Sequence, residues 1–260
     1  MRRVHLLEIE DQAWCPRPVR DGATDWLQFM ANAHKAFNTM APKLRDAMRR
    51  TGCNRIVDLC SGGGGPWASL APELARLGDV KVELTDFYPN LTAFHRVAQQ
   101  CKEQVSYCPY PIDATDVPPG FDGVRTLFSS FHHFKPAQAR DILADAVRKR
   151  RPIIVVEGSD SRLLGIVMIL LMPLAMLLLT LRIRPFCWSR VLLTYLLPAI
   201  PLLTLWDGIV SMLRIYSPRE LYELVAGIPG SDAFDWDIGI QPVRGSPIGL
   251  TYLVGIPRSR

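Results

Sequence analysis

The chain has 260 residues, 48% hydrophobic and 21% charged, enough to bury the core of one elaborated domain or two small ones. Its net charge of +5 comes from 30 Lys and Arg against 25 Asp and Glu, with no long basic run and no aromatic-interleaved basic patch, so no nucleic-acid partner is expected. Six cysteines without a C-x-x-C spacing suggest neither a zinc site nor a disulfide framework and read as free thiols.

Met1-Arg2-Arg3-Val4-His5 leads quickly to Glu8, Glu10 and Asp11 and lacks the apolar run of a signal peptide. Residues 4–11 read as a short strand or an extended arm, and Trp14-Cys15-Pro16-Arg17-Pro18 as a rigid irregular segment. From Thr24 to about Arg50, Trp26, Leu27, Met30, Phe37, Met40, Leu44 and Met48 recur at three- and four-residue spacings, the mark of a helix. Pro42 is predicted to split it in two. Residues 1–51 are thus expected to form an arm and a helical lid.

The chain is organised around Ile56-Val57-Asp58-Leu59-Cys60-Ser61-Gly62-Gly63-Gly64-Gly65-Pro66-Trp67. An apolar run ends in an acid, then a glycine cluster, then a helix. Such a turn lets a ligand approach the backbone closely, and exposed helix N–H groups favour its anionic or polar atoms. A regular alternation follows: strands at about 55–60, 80–86, 105–112, 123–129 and 152–157, and helices at 66–77, 90–101 and 136–150. Asn90 is a good N-cap, and Pro136 suits a first helical position. This alternation predicts a parallel sheet with helices on both faces and a ligand at the carboxyl ends of the strands.

Beyond 160 the character changes. Leu163–Leu181 carries no charge, and as one helix would span roughly 28 Å, close to the hydrocarbon thickness of a bilayer. Arg182, Arg184, Trp188 and Arg190 follow, and then uncharged Val191–Trp206, interrupted by Pro198 and Pro201. Ser217-Pro218-Arg219-Glu220 reads as a capping box opening a helix that ends at Gly227. Runs at 234–243 and 249–256, joined by Gly245-Ser246-Pro247, read as a hairpin. The expected organisation is 1–51 arm and lid, 52–160 core, 161–216 apolar insertion, and 217–260 last helix and hairpin completing the core.

Five strand–helix units with glycines after the first strand and a terminal hairpin resemble the class I S-adenosylmethionine-dependent methyltransferases, over about 52–160 and the hairpin. That family commonly carries D/E-x-G-x-G-x-G; here Asp58-Leu59-Cys60-Ser61-Gly62-Gly63-Gly64 places Cys60 at the first glycine. The resemblance implies a Rossmann-like α/β fold and S-adenosylmethionine as cofactor. It implies binding by Asp58, Cys60, Ser61, Gly62 and Gly64 in the turn. Asp86 would accept the ribose hydroxyls, Phe87 would pack on the adenine, and Asp113 would bind the adenine amino group, with Ala114 and Ser129 nearby. A nicotinamide dinucleotide, the rival occupant of a glycine turn, would want a small residue where Trp67 stands.

Phe128-Ser129-Ser130-Phe131-His132-His133-Phe134 resembles the S/N-x-x-H-H-F/L run of many small-molecule methyltransferases. His132 or His133 could take a proton from an acceptor hydroxyl or amine, or could cap a helix or pack against the cofactor, because alignment alone can drive methyl transfer. A second candidate region, Trp206–Tyr216, offers Asp207, Arg214 and Tyr216, with an ordinary ion pair and a buried tyrosine as the structural reading. No metal-ligand set stands out. The insertion could span a membrane, lie in one leaflet with arginines at lipid phosphates and Trp188 and Trp206 at the headgroups, or form a soluble cap or dimer interface. The expected function is methylation of a lipophilic small molecule or lipid at the cytoplasmic face of a membrane, with a soluble cytoplasmic location as the second choice. The alternative is a membrane-associated binding or scaffold protein that keeps the fold without turnover.

Overall fold

The computed structural model of the chain describes residues 3–102, 104–158 and 161–258. An arm of loops and turns precedes α1 (Arg17–His34), a 3-10 turn (Ala36–Met40) and α2 (Ala41–Thr51). Of the three prolines expected to interrupt or stiffen this region, Pro16 is the N-cap of α1, and Pro18 in α1 and Pro42 in α2 sit in first turns, where the missing N–H has no intrahelical partner to lose. The helix therefore begins earlier than Thr24. Its break falls at Lys35, in the left-handed region with φ 51°, and not at Pro42.

The core alternates β1 (Arg55–Asp58), α3 (Trp67–Ala75), β2 (Lys81–Leu84), α4 (Leu91–Gln100), β3 (Val105–Tyr107), β4 (Val124–Phe128), α5 (Pro136–Arg148) and β5 (Ile153–Glu157). After the insertion come α10 (Pro218–Ala226), β6 (Phe234–Gln241) and β7 (Leu250–Pro257), numbering the insertion's helices α6 to α9. The strand order is β3-β2-β1-β4-β5-β7-β6, with β1 to β5 parallel and β7 antiparallel to both its neighbours. This is the Rossmann-like sheet with a reversed terminal hairpin that the resemblance implies.

The side-chain period of two splits each strand between two cores. Ile56, Ile154 and Val156 face α2, α3 and α4, whereas Val57, Ile153 and Val155 face α5 and α10. Ser217 caps α10 as expected: its Oγ accepts from the Glu220 N–H, and Glu220 Oε2 accepts from the Ser217 N–H. Asn90 caps α4 by accepting from the Ala93 N–H at 3.1 Å.

The insertion is α6 (Arg162–Leu170), α7 (Met172–Leu179), a 3-10 turn (Thr180–Arg182), α8 (Trp188–Tyr195) and α9 (Ala199–Arg214). The single helix expected over 163–181 is broken at Leu171, just before Pro173, and the halves are bent by 42°. The Pro173 ring cannot continue a helix through this point, because it removes a ladder hydrogen bond and crowds the preceding turn. The second pair bends by 75° around Pro198. No single described helix is long and apolar enough to cross a membrane. Helix α9 continues to Arg214, so Asp207 and Arg214 lie on it and not in a connecting segment.

The lid and the insertion share a third core of Cys15, Ala23, Trp26, Met176, Ile183, Ile200 and Leu203. The close crossing of α1 and α9 depends on Gly22, where a Cβ would stand 2.3 Å from Ile200 Cδ1. Arg190 is buried in the same region, ion-paired with Asp25 and donating to the carbonyls of Ile183 and Pro185. It is therefore not available to lipid phosphates, whereas Arg182 and Arg184 are exposed.

Between β4 and α5, Arg125 Nη1 meets Asp145 Oδ2 at 2.8 Å, both side chains buried. Replacing Asp145 with Ala strands a guanidinium in the interior, and the expected cost is about 3–5 kcal/mol. Chemical denaturation reads it as a lower midpoint; a loss below about 1 kcal/mol would mean that water reaches Arg125.

Candidate active site

The carboxyl ends of β1 and β2 carry the glycine turn. Asp58 closes β1 and is buried, its Oδ2 accepting from Ser61 Oγ at 2.7 Å and its Oδ1 from Thr126 Oγ1 at 2.6 Å. Burial pushes its carboxyl up to about 6. Asp58 and Ser61 thus brace the turn from inside. Cys60 takes the left-handed conformation, φ 58°, that a glycine would adopt more easily, so the turn keeps its shape despite the replacement. Burial raises the Cys60 thiol, and the nearby carboxylates of Asp86, Asp58 and Asp113 add to the rise.

Gly62 (φ 52°) donates its N–H to Asp86 Oδ2 at 2.8 Å, while Asp86 Oδ1 accepts from the Tyr88 N–H at 2.8 Å. A Cβ at Gly62 would meet nothing within 4 Å, but one at Gly64 would stand 2.6 Å from Val97 Cγ2. The turn is therefore open beside Asp86 and closed behind Gly64. Phe87 and Tyr88 are exposed and meet edge to face. Asp113 is exposed, its Oδ1 accepting from the Thr115 N–H and Oγ1, and Ala114 beside it is buried. The Ile112 N–H donates to Asp86 O, which joins this loop to the end of β2.

The first turn of α3 does not present all its N–H groups to a ligand. Asn32, from α1, accepts from the Ser69 N–H at 2.8 Å and donates to Gly65 O at 3.0 Å. The lid thus caps α3 and lies over the glycines, where the sequence pattern suggested an open helix end.

At the ends of β4 and β5, His132 is buried with its Nδ1 2.6 Å from Glu157 Oε2, and its N–H donates to Glu157 Oε1. His133 Nδ1 lies 2.8 Å from Glu8 Oε2 and 3.0 Å from Asp11 Oδ1. Burial alone would lower the His133 pKa; Asp11 and Glu8 outweigh it and hold His133 well above the ordinary value. Arg214 Nη1 reaches Glu8 Oε1 and Asp11 Oδ2, both at 3.2 Å. Ser129 is exposed just before this cluster, with φ 48°.

Asp207 and Tyr216 were candidates for chemistry, and the structure engages both in holding the chain. Both Asp207 oxygens accept backbone N–H groups, from Ile9 at 2.7 Å and Glu10 at 2.9 Å. The Tyr216 hydroxyl donates to Phe134 O at 2.8 Å, with the Arg3 guanidinium 3.9 Å above its ring, and burial pushes its pKa up to about 12. A proton-accepting role for His133 Nδ1 would require the arm's Glu8 and Asp11 to give way, whereas Glu157 on β5 holds His132 at Nδ1 only.

The candidates therefore fall into two groups: Asp58, Cys60, Ser61, Gly62, Gly64, Asp86, Phe87, Asp113 and Ala114 at β1 to β3, and Ser129, His132, His133, Asp207 and Tyr216 at β4, β5 and α9. Sequence reasoning missed Glu8 and Asp11, which it read only as evidence against a signal peptide, and Asn32. Glu157 carried a readable signal, since it ends an apolar strand as Asp58 does.

No family profile matches the sequence, and no curated protein sequence matches it. Solved structures do. An O-methyltransferase (NcsB1) from neocarzinostatin biosynthesis, in complex with S-adenosylmethionine and 2-hydroxy-5-methyl naphthoic acid, is 16% identical with a TM-score of 0.55. The match covers 93% of this chain, which spans 59% of that protein's length. The same enzyme with S-adenosyl-L-homocysteine and 1,4-dihydroxy-2-naphthoic acid gives a TM-score of 0.54 at 15% identity, covering 93% of this chain and 59% of that one. The methyltransferase domain of bacterial CtHen1-CN gives 0.51 at 9% identity, covering 85% of this chain and 99% of that one. The chain has the Rossmann-like fold of class I S-adenosylmethionine-dependent methyltransferases.

The raised pKa of Asp58 has a signed consequence. Its folded value lies above the ordinary 3.8, so the stability it lends as a neutral acid is complete below about pH 4 and is lost as pH rises through about 6. A rise of this size corresponds to on the order of 3 kcal/mol. Unfolding free energy should fall from pH 4 to 7 more steeply in the wild type than in Asp58→Asn. Parallel curves for the two would mean that Asp58 is ionised throughout.

Proposed function

We propose that the chain is an S-adenosylmethionine-dependent methyltransferase acting on a lipophilic small molecule or lipid at the cytoplasmic face of a membrane. The observation that carries the cofactor assignment is the Gly62–Asp86 hydrogen bond at the carboxyl edge of a β3-β2-β1-β4-β5-β7-β6 sheet. The open space at Gly62 fits a ligand that passes between the turn and the β2 acid. Each Asp86 oxygen holds one backbone N–H and keeps a lone pair for a ribose hydroxyl. Phe87 and Tyr88 offer exposed ring faces for the adenine, and the exposed Asp113 follows Ile112, whose N–H holds this loop to Asp86 O.

When bound, the cofactor supplies a methyl group on a positively charged sulfur. The protein's share is to align the acceptor with that methyl and exclude water, which can provide most of the acceleration without a protein base. Ser129 and the His132–His133 turn form the rim of the acceptor side.

The membrane assignment rests on the outer surface of the insertion. Leu163, Leu178, Leu196, Leu197 and Trp188 are 63–78% exposed, beside exposed Arg182 and Arg184. Bent helices with such a face suit insertion into one leaflet, where each fully buried large apolar side chain contributes roughly 1.5–3 kcal/mol. The naphthoic acids bound by NcsB1 are small aromatic molecules and support an acceptor of that size class. A second reading, binding without turnover, is favoured by the carboxylates that occupy His132 and His133.

Two measurements test this. Asp86→Ala should weaken S-adenosylmethionine binding about tenfold to a hundredfold by calorimetry, since hydrogen bonds to a charged group are worth roughly 1.5–3 kcal/mol; equal affinities would remove Asp86 from the site. Leu163→Gln, Leu178→Gln and Leu196→Gln combined should abolish flotation with liposomes while cofactor binding persists. Excising 163–206 would not test it, because Ile200 and Leu203 belong to the core shared with α1. Flotation unchanged in the triple variant would reject the membrane face, and cofactor binding without methylation of any lipophilic acceptor would favour the second reading.

A further inference from the structure

We propose that Glu8, His132 and His133 form a binding site for a divalent transition-metal ion of the zinc class, which fastens the N-terminal arm over the ends of β4 and β5. The sequence shows no such set, because Glu8 is far from the histidines in the chain. Folding brings one ligand atom each from Glu8, His132 and His133 within 4.8 Å of one another.

The distances suit a small tetrahedral ion. His133 Nδ1 is 2.8 Å from Glu8 Oε2 and 3.0 Å from Asp11 Oδ1, and His132 Nε2 is 3.9 Å from Glu8 Oε1. Donors around zinc at about 2.0–2.1 Å stand about 3.4 Å apart, a value these separations bracket. Two nitrogens and one carboxylate oxygen, with water as the fourth donor, are a set that zinc accepts in open sites.

A second observation points to a ligand. The Glu8 side chain is 0% exposed, and its Oε2 and His133 Nδ1 are buried with no hydrogen-bond partner. They face each other at ion-pair distance without hydrogen-bond alignment. A cation shared between them would supply the aligned contact that this ion pair lacks.

The surroundings are those of a supported metal site. Glu157 holds His132 Nδ1, fixing the ring and leaving Nε2 toward Glu8, as a carboxylate behind a metal-bound histidine does. Arg214 holds Glu8 Oε1 and Asp11 Oδ2, leaving Glu8 Oε2 and Asp11 Oδ1 toward His133. Among the described residues, Arg214 is the one guanidinium in ion-pair contact with Glu8, Asp11 or Glu157. The Asp11 and His133 side chains, 37% and 24% exposed, provide the route in. The ion would occupy Nδ1 of His133 and Nε2 of His132, so neither nitrogen would take a proton from an acceptor while it is bound.

The test uses the full chain after dialysis against EDTA. Titration with Zn²⁺ should show one ion bound per chain by calorimetry and elemental analysis. Co²⁺ should give the visible bands of a four-coordinate nitrogen–oxygen site without thiolate charge transfer, which separates it from capture by the free cysteines. Glu157→Gln, which alters only the support, should weaken Zn²⁺ binding roughly 10- to 100-fold. Glu8→Gln and His133→Gln should weaken it more, and His95→Gln, on the exposed face of α4, should leave it unchanged. Zn²⁺ should also slow hydrogen exchange across residues 3–11. Absence of a bound equivalent at micromolar Zn²⁺, or wild-type affinity in His133→Gln, overturns the proposal. Should Glu8→Gln fail to fold, the wild-type titration and the partly exposed His133 position decide.

Discussion

A carboxylate taken fully out of water must be met by cations or donors, and the placement of three separate segments follows from how Glu8 is met. Its two oxygens face Arg214 on α9 and His133 after β4, and Ser211 Oγ donates to Oε1 at 3.0 Å. The arm is held along its length by the same helix: Arg214 Nε donates to Leu6 O, Trp206 Nε1 to Leu7 O, and Asp207 accepts from Ile9 and Glu10. Arg3 then donates to the carbonyls of Phe134 and Arg214. Arm, insertion and histidine turn form one polar cluster, and none of the three would be placed alone.

This makes α9 the link between two chemistries. One of its faces joins α1 through Ile200 and Leu203, while Asp207, Ser211 and Arg214 hold the arm. Leu202 and Trp206 remain exposed with the outer leucines of α6 to α8. The helix that carries part of the apolar surface thus also carries the residues that hold the arm.

The glycine edge depends on a different constraint. Trp67 opens α3 directly behind the glycines, fully buried and edge-on to Phe128 with ring centroids 5.5 Å apart. Phe37 meets the same ring at 5.4 Å. The indole therefore fills the gap between helix and strand where a dinucleotide-binding turn would carry a small residue. The lid is fastened here through Asn32, so the two ends of the sheet's carboxyl edge are covered by different parts of the N-terminal segment.

The sequence by itself determined the strand–helix alternation, because buried strands read as short apolar runs and Ser217 and Asn90 cap helices by local geometry alone. It also determined the glycine turn and the acid at Asp86, since a tight turn and a strand end are written within a few neighbouring residues. Pro18, Pro42 and Pro173 were ambiguous locally: a proline is tolerated in a first turn and costly further on, and only the position of the helix start distinguishes these. The tertiary structure alone decided that Arg190 turns inward to Asp25, that Asp207 holds backbone and that Glu8, Asp11, His132, His133 and Arg214 converge. The partner of a buried charge is chosen by contact in space, between segments whose separation along the chain leaves no periodic or local trace.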